Sequence, residues 1–556
     1  RDRDVTGVQT CALQISMTER QEEQKAVAAL EAKPGLIRVL EQARLDSKFD
    51  VLVRTWPDGH VNVTGLADNQ KAYLLAAASH TLGQPAAVYT ADELTARRYE
   101  QALRVFARDP ERVRVFRTRD LELGEADAAS REMEQQRMGV LRALTAGEVD
   151  YLIVSGSAAL QRLPAPAEWK RHSFTLQLGG FIEPDELAQQ LLEAGYERVP
   201  QAQNPGEFAR RGDITDIVPA GLMGNQAGTG TGTGYRVSFF DNEIDQLKTY
   251  DIATQRSIEP LAAILVTPAA EILLPADAAE RAELAGRVQS AGSAAILEMK
   301  RNGIRSEITR RLSDLLERDV TAINEAIRTP GLDKWLAEHY GGNYTILDYL
   351  TGMAITVDEP LRLGQRLDAA QAEFSQRVTQ LLERGQTFAL ASEAQLKRVD
   401  VFKALDDLKR VLSLAAVPGS GNGFPGGTPM TIVGREAESY RGHEDRLPGL
   451  LAEHSAPEDL IVIMTASQER GEKLRQYLMD HEVNRLPLIV PARLERGFEW
   501  PSARLLLFGA EDIFGRERQQ RRRRRRDSAG HIDFFSDLHP GQKVVQIGRA
   551  SCRERV

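Results

Sequence analysis

Three short apolar runs, separated by helix-forming stretches, constrain the fold of this chain more than any other feature. "HVNV" (His60–Val63) leads through a loop into "KAYLLAAASHTL" (Lys71–Leu82). "AAVYT" (Ala86–Thr90) follows, and later "DYLIVSG" (Asp150–Gly156). Strand-length runs alternating with helical ones predict a parallel sheet flanked by helices. From Ser173 the pattern changes. "SFTLQL" reads as a strand and "EPDELAQQLLEAGY" as a short helix with Leu187, Leu191 and Leu192 on one face and Gly195 as its stop. Several strand-like runs then follow to about Thr267, which predicts a small α+β domain.

Residues from about Pro275 to Arg328 read as helical, "NYTILDYLTGMAITVDEP" as strand, and Leu363–Leu382 as a long helix. "PGSGNGFPGGTP" (Pro418–Pro429) has the composition of a flexible connector. Beyond it "DLIVIMTAS", "LPLIVPA" and "ARLLLFGA" are short buried-type strands of a second α/β domain. "GTGTGTG" (Gly228–Gly234) reads as a loop tip.

The loop after the first strand, "VTGLADNQKAYLL" (Val63–Leu75), has the spacing of a phosphate-binding loop but not its chemistry. Such a loop needs G-x-x-x-x-G-K-[ST]: glycines for bare backbone around phosphate, a lysine for charge, and a hydroxyl for Mg²⁺. Gly65 and Lys71 are correctly spaced, while Gln70 stands for the second glycine and Ala72 for the hydroxyl. The strand–loop–helix context survives without the means to hold a metal-bound nucleotide. Asp358 and Glu359, at the end of "ITVDEP", sit where helicase-type ATPases place their Mg²⁺ and water-activating carboxylates. With no phosphate to serve, they read as solvated strand-end acids.

With 42% hydrophobic and 27% charged residues, the 556-residue chain has room for three or four globular domains. Its net charge of −9 excludes binding nucleic acid through bulk positive charge. The most apolar stretch, near Leu261–Leu274, is broken by Pro268 and Glu271 and is no membrane span. H-E-x-x-H, cysteine clusters and a nucleophile elbow are all missing, so no catalytic or metal-ligating residue is expected. The two cysteines, Cys11 and Cys552, lie in "RDRDVTGVQTCALQIS" and "IGRASCRERV", stretches that look like translated sequencing-adapter DNA. A chain otherwise free of cysteine suits a reducing cytoplasm. The arginine run Arg521–Arg526, within "RERQQRRRRRRD", reads as a solvated linker, with DNA phosphate as the alternative target.

Taken as a strand, "YRVSFF" puts Tyr235, Val237 and Phe239 on one face and Arg236, Ser238 and Phe240 on the other. The second face combines arginine and an aromatic ring, the composition of an interface hot spot. Arg211, in the preceding "EFARRGD" run, joins them if the two strands pair. The bland alternative is an exposed face on which Phe240 covers a neighbouring loop.

"AGYERVPQAQNPGEFARRGDITDIVPAG" (Ala194–Gly221) and "YRVSFFDNEIDQLKTYDIATQRS" (Tyr235–Ser257), with "VSGSAALQRL" before and "SDLHPGQKVV" (Ser536–Val545) after, carry a resemblance. They resemble the N-terminal half of the bacterial transcription-repair coupling factors, the part similar to the excision-repair protein UvrB. Departures are Asp213, where the family has a small residue, and the Gly/Thr insertion.

The resemblance implies a multidomain α/β architecture: a degenerate RecA/helicase-like α/β domain with an inserted small α+β domain, then a second small α/β domain. The boundaries implied are an artefact tail (1–16), the degenerate NTPase domain (17–172), the UvrA-binding-type domain (173–267) and a segment completing the UvrB-like core (268–385). A linker with the third domain (386–515), a basic linker (516–530), the start of an RNA-polymerase-interacting domain (531–546) and a second tail (547–556) follow. The resemblance also implies that Arg211, Arg236 and Phe240 contact UvrA. The full-length protein would displace stalled RNA polymerase by translocating on duplex DNA, with ATP and Mg²⁺ bound in a motor absent from this chain. On that reading this portion has no catalysis and no cofactor of its own. The rival is an active UvrB-type helicase using Lys71, Asp358 and Glu359; Mg²⁺-dependent nucleotide binding separates the two.

Overall fold

The computed structural model describes residues 35–124, 131–221, 232–329, 331–419, 423–441, 444–454, 456–483 and 485–514. Both terminal tails with their cysteines, the arginine run, and Ser536–Val545 lie outside the described residues.

The apolar runs fold as strands β1 (Val61–Thr64), β2 (Ala86–Thr90) and β4 (Tyr151–Ser155), and β3 (Val113–Phe116), not singled out in the sequence, joins them. The central ones are buried along their whole length, as strands covered on both faces must be. The chain then leaves this sheet. β5 (Phe174–Gln177) pairs with β12 (Ala263–Val266), and between them β6 (Glu197–Arg198), β7 (Glu207–Arg211), β8 (Ile214–Val218), β9 (Thr233–Phe240), β10 (Glu243–Asp251) and β11 (Ser257–Pro260) form a six-stranded sheet, an antiparallel meander from β7 to β11 with β6 added parallel to β7. Helix Pro184–Glu193 covers one face of it with Leu187, Ala188 and Leu191. Leu192, expected on that stripe, points outward because 187, 188 and 191 already complete the buried arc.

Two long helices, Ala278–Arg301 and Ser306–Asn324, pack side by side; Gly292 admits Leu316, whose Cδ1 would lie 2.5 Å from any Cβ there. In "NYTILDYLTGMAITVDEP" only β13 (Ala354–Asp358) is strand. Helix Pro360–Glu383 follows.

The chain then re-enters the first sheet with β14 (Val411–Ala415) and β15 (Thr428–Thr431). The completed sheet runs β15-β1-β14-β13-β2-β4-β3, parallel throughout. The boundary expected at 386 is therefore too early: fully buried β14 lies between β1 and β13 and cannot be part of a separate domain. The glycine-rich connector is likewise partly built in. Asn62 accepts a hydrogen bond from Phe424 N at 2.9 Å and donates to Phe424 O at 3.0 Å, while the Phe424 ring stacks on His60. Residues 420–422 lie outside the described set. The Gly/Thr tract also ends in structure, since Thr233 and Gly234 belong to β9. Gly234 has a steric reason: a Cβ there would fall 2.4 Å from the Tyr250 ring.

A second α/β sheet holds β16 (Arg435–Glu436), β17 (Leu460–Met464), β18 (Leu488–Val490), β19 (Phe498–Trp500) and β20 (Leu505–Phe508), ordered β16-β19-β20-β17-β18. Helix Asp68–Leu82, which follows the loop, is the wedge between the two sheets. Its residues Gln70–Ser79 are all buried, and the Tyr73 ring meets Phe106, Phe498 and Trp500 at 5.1–6.0 Å. Trp500 Nε1 donates to Asp46 Oδ2 at 2.9 Å, joining the second sheet to the helix Ser47–Thr55. Among the described residues no helix is long and apolar enough to cross a membrane.

Candidate protein-binding face and a closed nucleotide loop

Where a phosphate loop keeps its lysine free for anions, this one has spent it. Lys71 Nζ lies 2.6 Å from Glu359 Oε1, 3.0 Å from Asp358 Oδ1 and 3.4 Å from Asp68 Oδ1. Burial disfavours the ammonium, but Asp358, with Glu359 and Asp68, outweighs it and holds the Lys71 pKa above the ordinary lysine value. The strand-end acids expected to be solvated are thus the lysine's partners. Asp358 is buried and also accepts from Tyr99 Oη at 3.2 Å. Glu359, held at φ +44°, takes Ala416 N on the same oxygen that binds Lys71.

The backbone and Gln70 close the rest of the loop. Gly65 keeps the positive φ of a phosphate loop, +89°, but its N–H donates to Ala416 O and its carbonyl accepts from Gly434 N. The fully buried Gln70 side chain lies where the second glycine would leave space, against Gly434; a Cβ there would fall 1.6 Å from Gln70 Oε1. Ala72 is buried in the helix core and offers no ligand. An approaching polyphosphate would meet a neutralised cation, three carboxylates and a filled cradle.

The meander presents the second feature. β7 and β9 do not pair, as the sequence left open; β8 lies between them. Register nonetheless sets their side chains on one face: Arg211 is opposite Ile214, which is opposite Ser238, and the next row aligns Ala209, Asp216 and Arg236. Arg211 and Phe240 are exposed, Phe240 by 76%, with Ile214 partly exposed between them.

Arg236 differs from the exposed hot spot that the alternation suggested. Its guanidinium grips Asp216 with two bonds, 2.6 and 2.9 Å, donates to Gln255 O at 3.0 Å, and lies 4.9 Å above the Tyr250 ring. The hydrogen bond that Arg236 donates to Asp216, opposed by burial, raises the Arg236 pKa. Tyr250, Ala202, Ala209 and Val218 form a small core on this side of the sheet, because the segment around Ala202 folds over it. Arg236 stands at the border of that core. Arg211 fixes the same segment through Pro200 O at 3.1 Å.

Residues 174–272 match the family described as the UvrB interaction domain. The transcription-repair-coupling factor of Bacillus subtilis is 27% identical over 504 residues, covering 87% of this chain and 41% of that protein. Those of Staphylococcus epidermidis and Staphylococcus aureus are 22% identical over 516 and 520 residues, each covering 90% of this chain and 42% of the relative. The chain is related to the transcription-repair-coupling factors. It spans about two-fifths of the length of these relatives, and they bear the coupling-factor name rather than that of a UvrB-type helicase.

In this coupling-factor relative, the interaction domain is tied to the first sheet by a buried charge network that sequence reading missed. Glu271 joins Arg137 and Arg119, the latter at 2.9 Å, and Arg119 grips Asp333 at 2.6 and 2.7 Å. All four are under 10% exposed. Burial opposes the Glu271 carboxylate, yet Arg137 and Arg119 hold its pKa below the usual range. No motif spacing announces partners more than a hundred residues apart. Ile214 was missed as well; its signal was the alternation of "ITDIV", which puts Ile214, Asp216 and Val218 on the same face.

Proposed function

We propose that this chain is a recruitment module of a transcription-repair coupling factor, and that the outer face of its UvrB interaction domain docks UvrA. The observation that carries the reading is the contrast between two sites. The nucleotide loop is filled by the chain's own side chains, whereas the sheet face keeps Arg211, Ile214 and Phe240 accessible. A basic side chain beside an exposed ring supplies charge and apolar area together, the combination that dominates interface energetics. Arg236 acts as a positioning residue, holding β8 to β9 and the overlying segment.

On this reading the module catalyses nothing and binds no nucleotide. In the full-length protein it serves a translocase that acts on duplex DNA, displaces stalled RNA polymerase with ATP and Mg²⁺ bound in a separate motor, and works in the bacterial cytoplasm. The names of the relatives support this role.

Titration of the chain with purified UvrA tests the reading. Arg211→Glu and Phe240→Ala are expected to weaken binding at unchanged thermal stability. Parent-like affinity in both folded variants would sink it. A parallel titration with ATP and Mg²⁺ that saturated would favour the helicase reading.

A further inference from the structure

Phe181 and Phe240 are the two most exposed large apolar side chains among the described residues, at 79% and 76%. They come from segments some sixty residues apart, and backbone pairing brings them together. The segment before helix Pro184–Glu193 runs antiparallel along the start of β10. Gly179 N donates to Ile244 O at 2.9 Å, Ile244 N to Gly180 O at 2.8 Å and Ile182 N to Asn242 O at 2.9 Å. Phe181 is thereby bridged to Glu243, and Glu243 pairs with Phe240 across the hairpin.

Residues directly opposite in such pairs share a face, so Phe181 and Phe240 flank Glu243. With strands about 4.8 Å apart, the two aromatic positions lie about 10 Å from each other. A cation placed midway would be within about 6 Å of both rings, the range in which a cation is attracted to an aromatic face. Glu243 is exposed and makes no ion pair among the described residues. Two bare rings and an unspent carboxylate between them make a site for a cation on an apolar stem.

We propose that Phe181, Glu243 and Phe240 clamp one arginine or lysine side chain of the protein that docks on this face. The face is then bipolar: the clamp takes a basic side chain, and Arg211, one row further along, takes an acidic one. The clamp rests on the reading of the face as the UvrA surface, and it adds the chemistry that this surface demands of its partner.

Calorimetric titration of the full chain with UvrA tests it, using Phe181→Ala, Phe181→Trp, Glu243→Gln and Arg211→Glu, each checked for parent-like thermal unfolding. Phe181→Ala and Glu243→Gln are each expected to weaken binding about tenfold, the scale of a hot-spot truncation, and Phe181→Trp to retain it. Parent-like binding by Phe181→Ala and Glu243→Gln, with Arg211→Glu defective, overturns the clamp and leaves the docking reading standing. Loss with Phe181→Ala but not with Glu243→Gln overturns the assignment of a cation. Parent-like binding by all variants removes the docking reading and the clamp with it. Self-association of the chain that Phe181→Ala abolishes would assign the rings to a second copy and overturn the proposal.

Discussion

Lys71 and Glu359 meet at 2.6 Å across 288 positions of sequence, and that contact turns a nucleotide-loop lysine into an internal strut. In a working loop, removing the lysine costs activity and little stability. Here the same change strands Asp358, buried at 4% exposure, beside Glu359. Breaking one side of a buried ion pair costs about 3–5 kcal/mol. Lys71→Met is therefore expected to lower the urea-unfolding free energy by about that amount. A variant as stable as the parent would contradict the strut.

Arg236 and Arg211 are expected to separate stability from recognition. Arg236→Glu sets a carboxylate against Asp216 and takes the cation off Tyr250, so destabilisation of about 3 kcal/mol is expected. Arg211→Glu, at an exposed position, should stay within about 0.5 kcal/mol of the parent. Thermal unfolding of the two side by side decides it; equal melting temperatures would refute the division of roles.

Gly234→Ala is expected to destabilise by about 1–3 kcal/mol, the usual cost of overpacking. The added Cβ meets the Tyr250 ring at 2.4 Å, and that ring is fully buried with its hydroxyl bonded to Ala202 O. Gly286→Ala, in helix Ala278–Arg301 where a Cβ meets nothing within 4 Å, is the control and should be neutral or stabilising. Chemical denaturation of both variants measures the difference.

Acidification is expected to weaken the fold in two stages. Burial lowers the His339 imidazole to about 4 from its ordinary 6.5, so the folded form keeps it neutral while the unfolded chain binds a proton. Stability therefore falls as pH drops from about 6.5 towards 4. Glu271 is the opposite charge type with the same sign of effect. Its depressed folded pKa contributes stability above the unfolded value of about 4.5, and that contribution is lost as pH falls through the folded value. Urea midpoints measured at about pH 7, 5.5, 4.5 and 3 should decline stepwise, and His339→Gln should flatten the step above about pH 4.5 alone. A midpoint independent of pH over this range would contradict both assignments.

Local signals in the sequence reached the parallel sheet, the helices of the 275–328 stretch and the strands of the second α/β sheet, because period and residue type are local properties. The departures from a phosphate-loop pattern, Ala72 in place of a hydroxyl and Gln70 in place of a glycine, are visible residue by residue. The inside–outside alternation of "YRVSFF" was legible too: Val237 and Phe239 are buried and Phe240 is exposed.

What surrounds Lys71 was decided by tertiary structure. Strand order sets β14 beside β1 and β13, which brings Asp358 and Glu359 to Lys71. The register through β8 makes Arg236 the partner of Asp216 rather than of solvent. Backbone pairing across some sixty residues sets Phe181 beside Phe240. Alternation fixes which face a side chain takes, but its partner depends on which distant strand lies alongside. For a charged group, that partner determines whether the charge is free to bind or already neutralised.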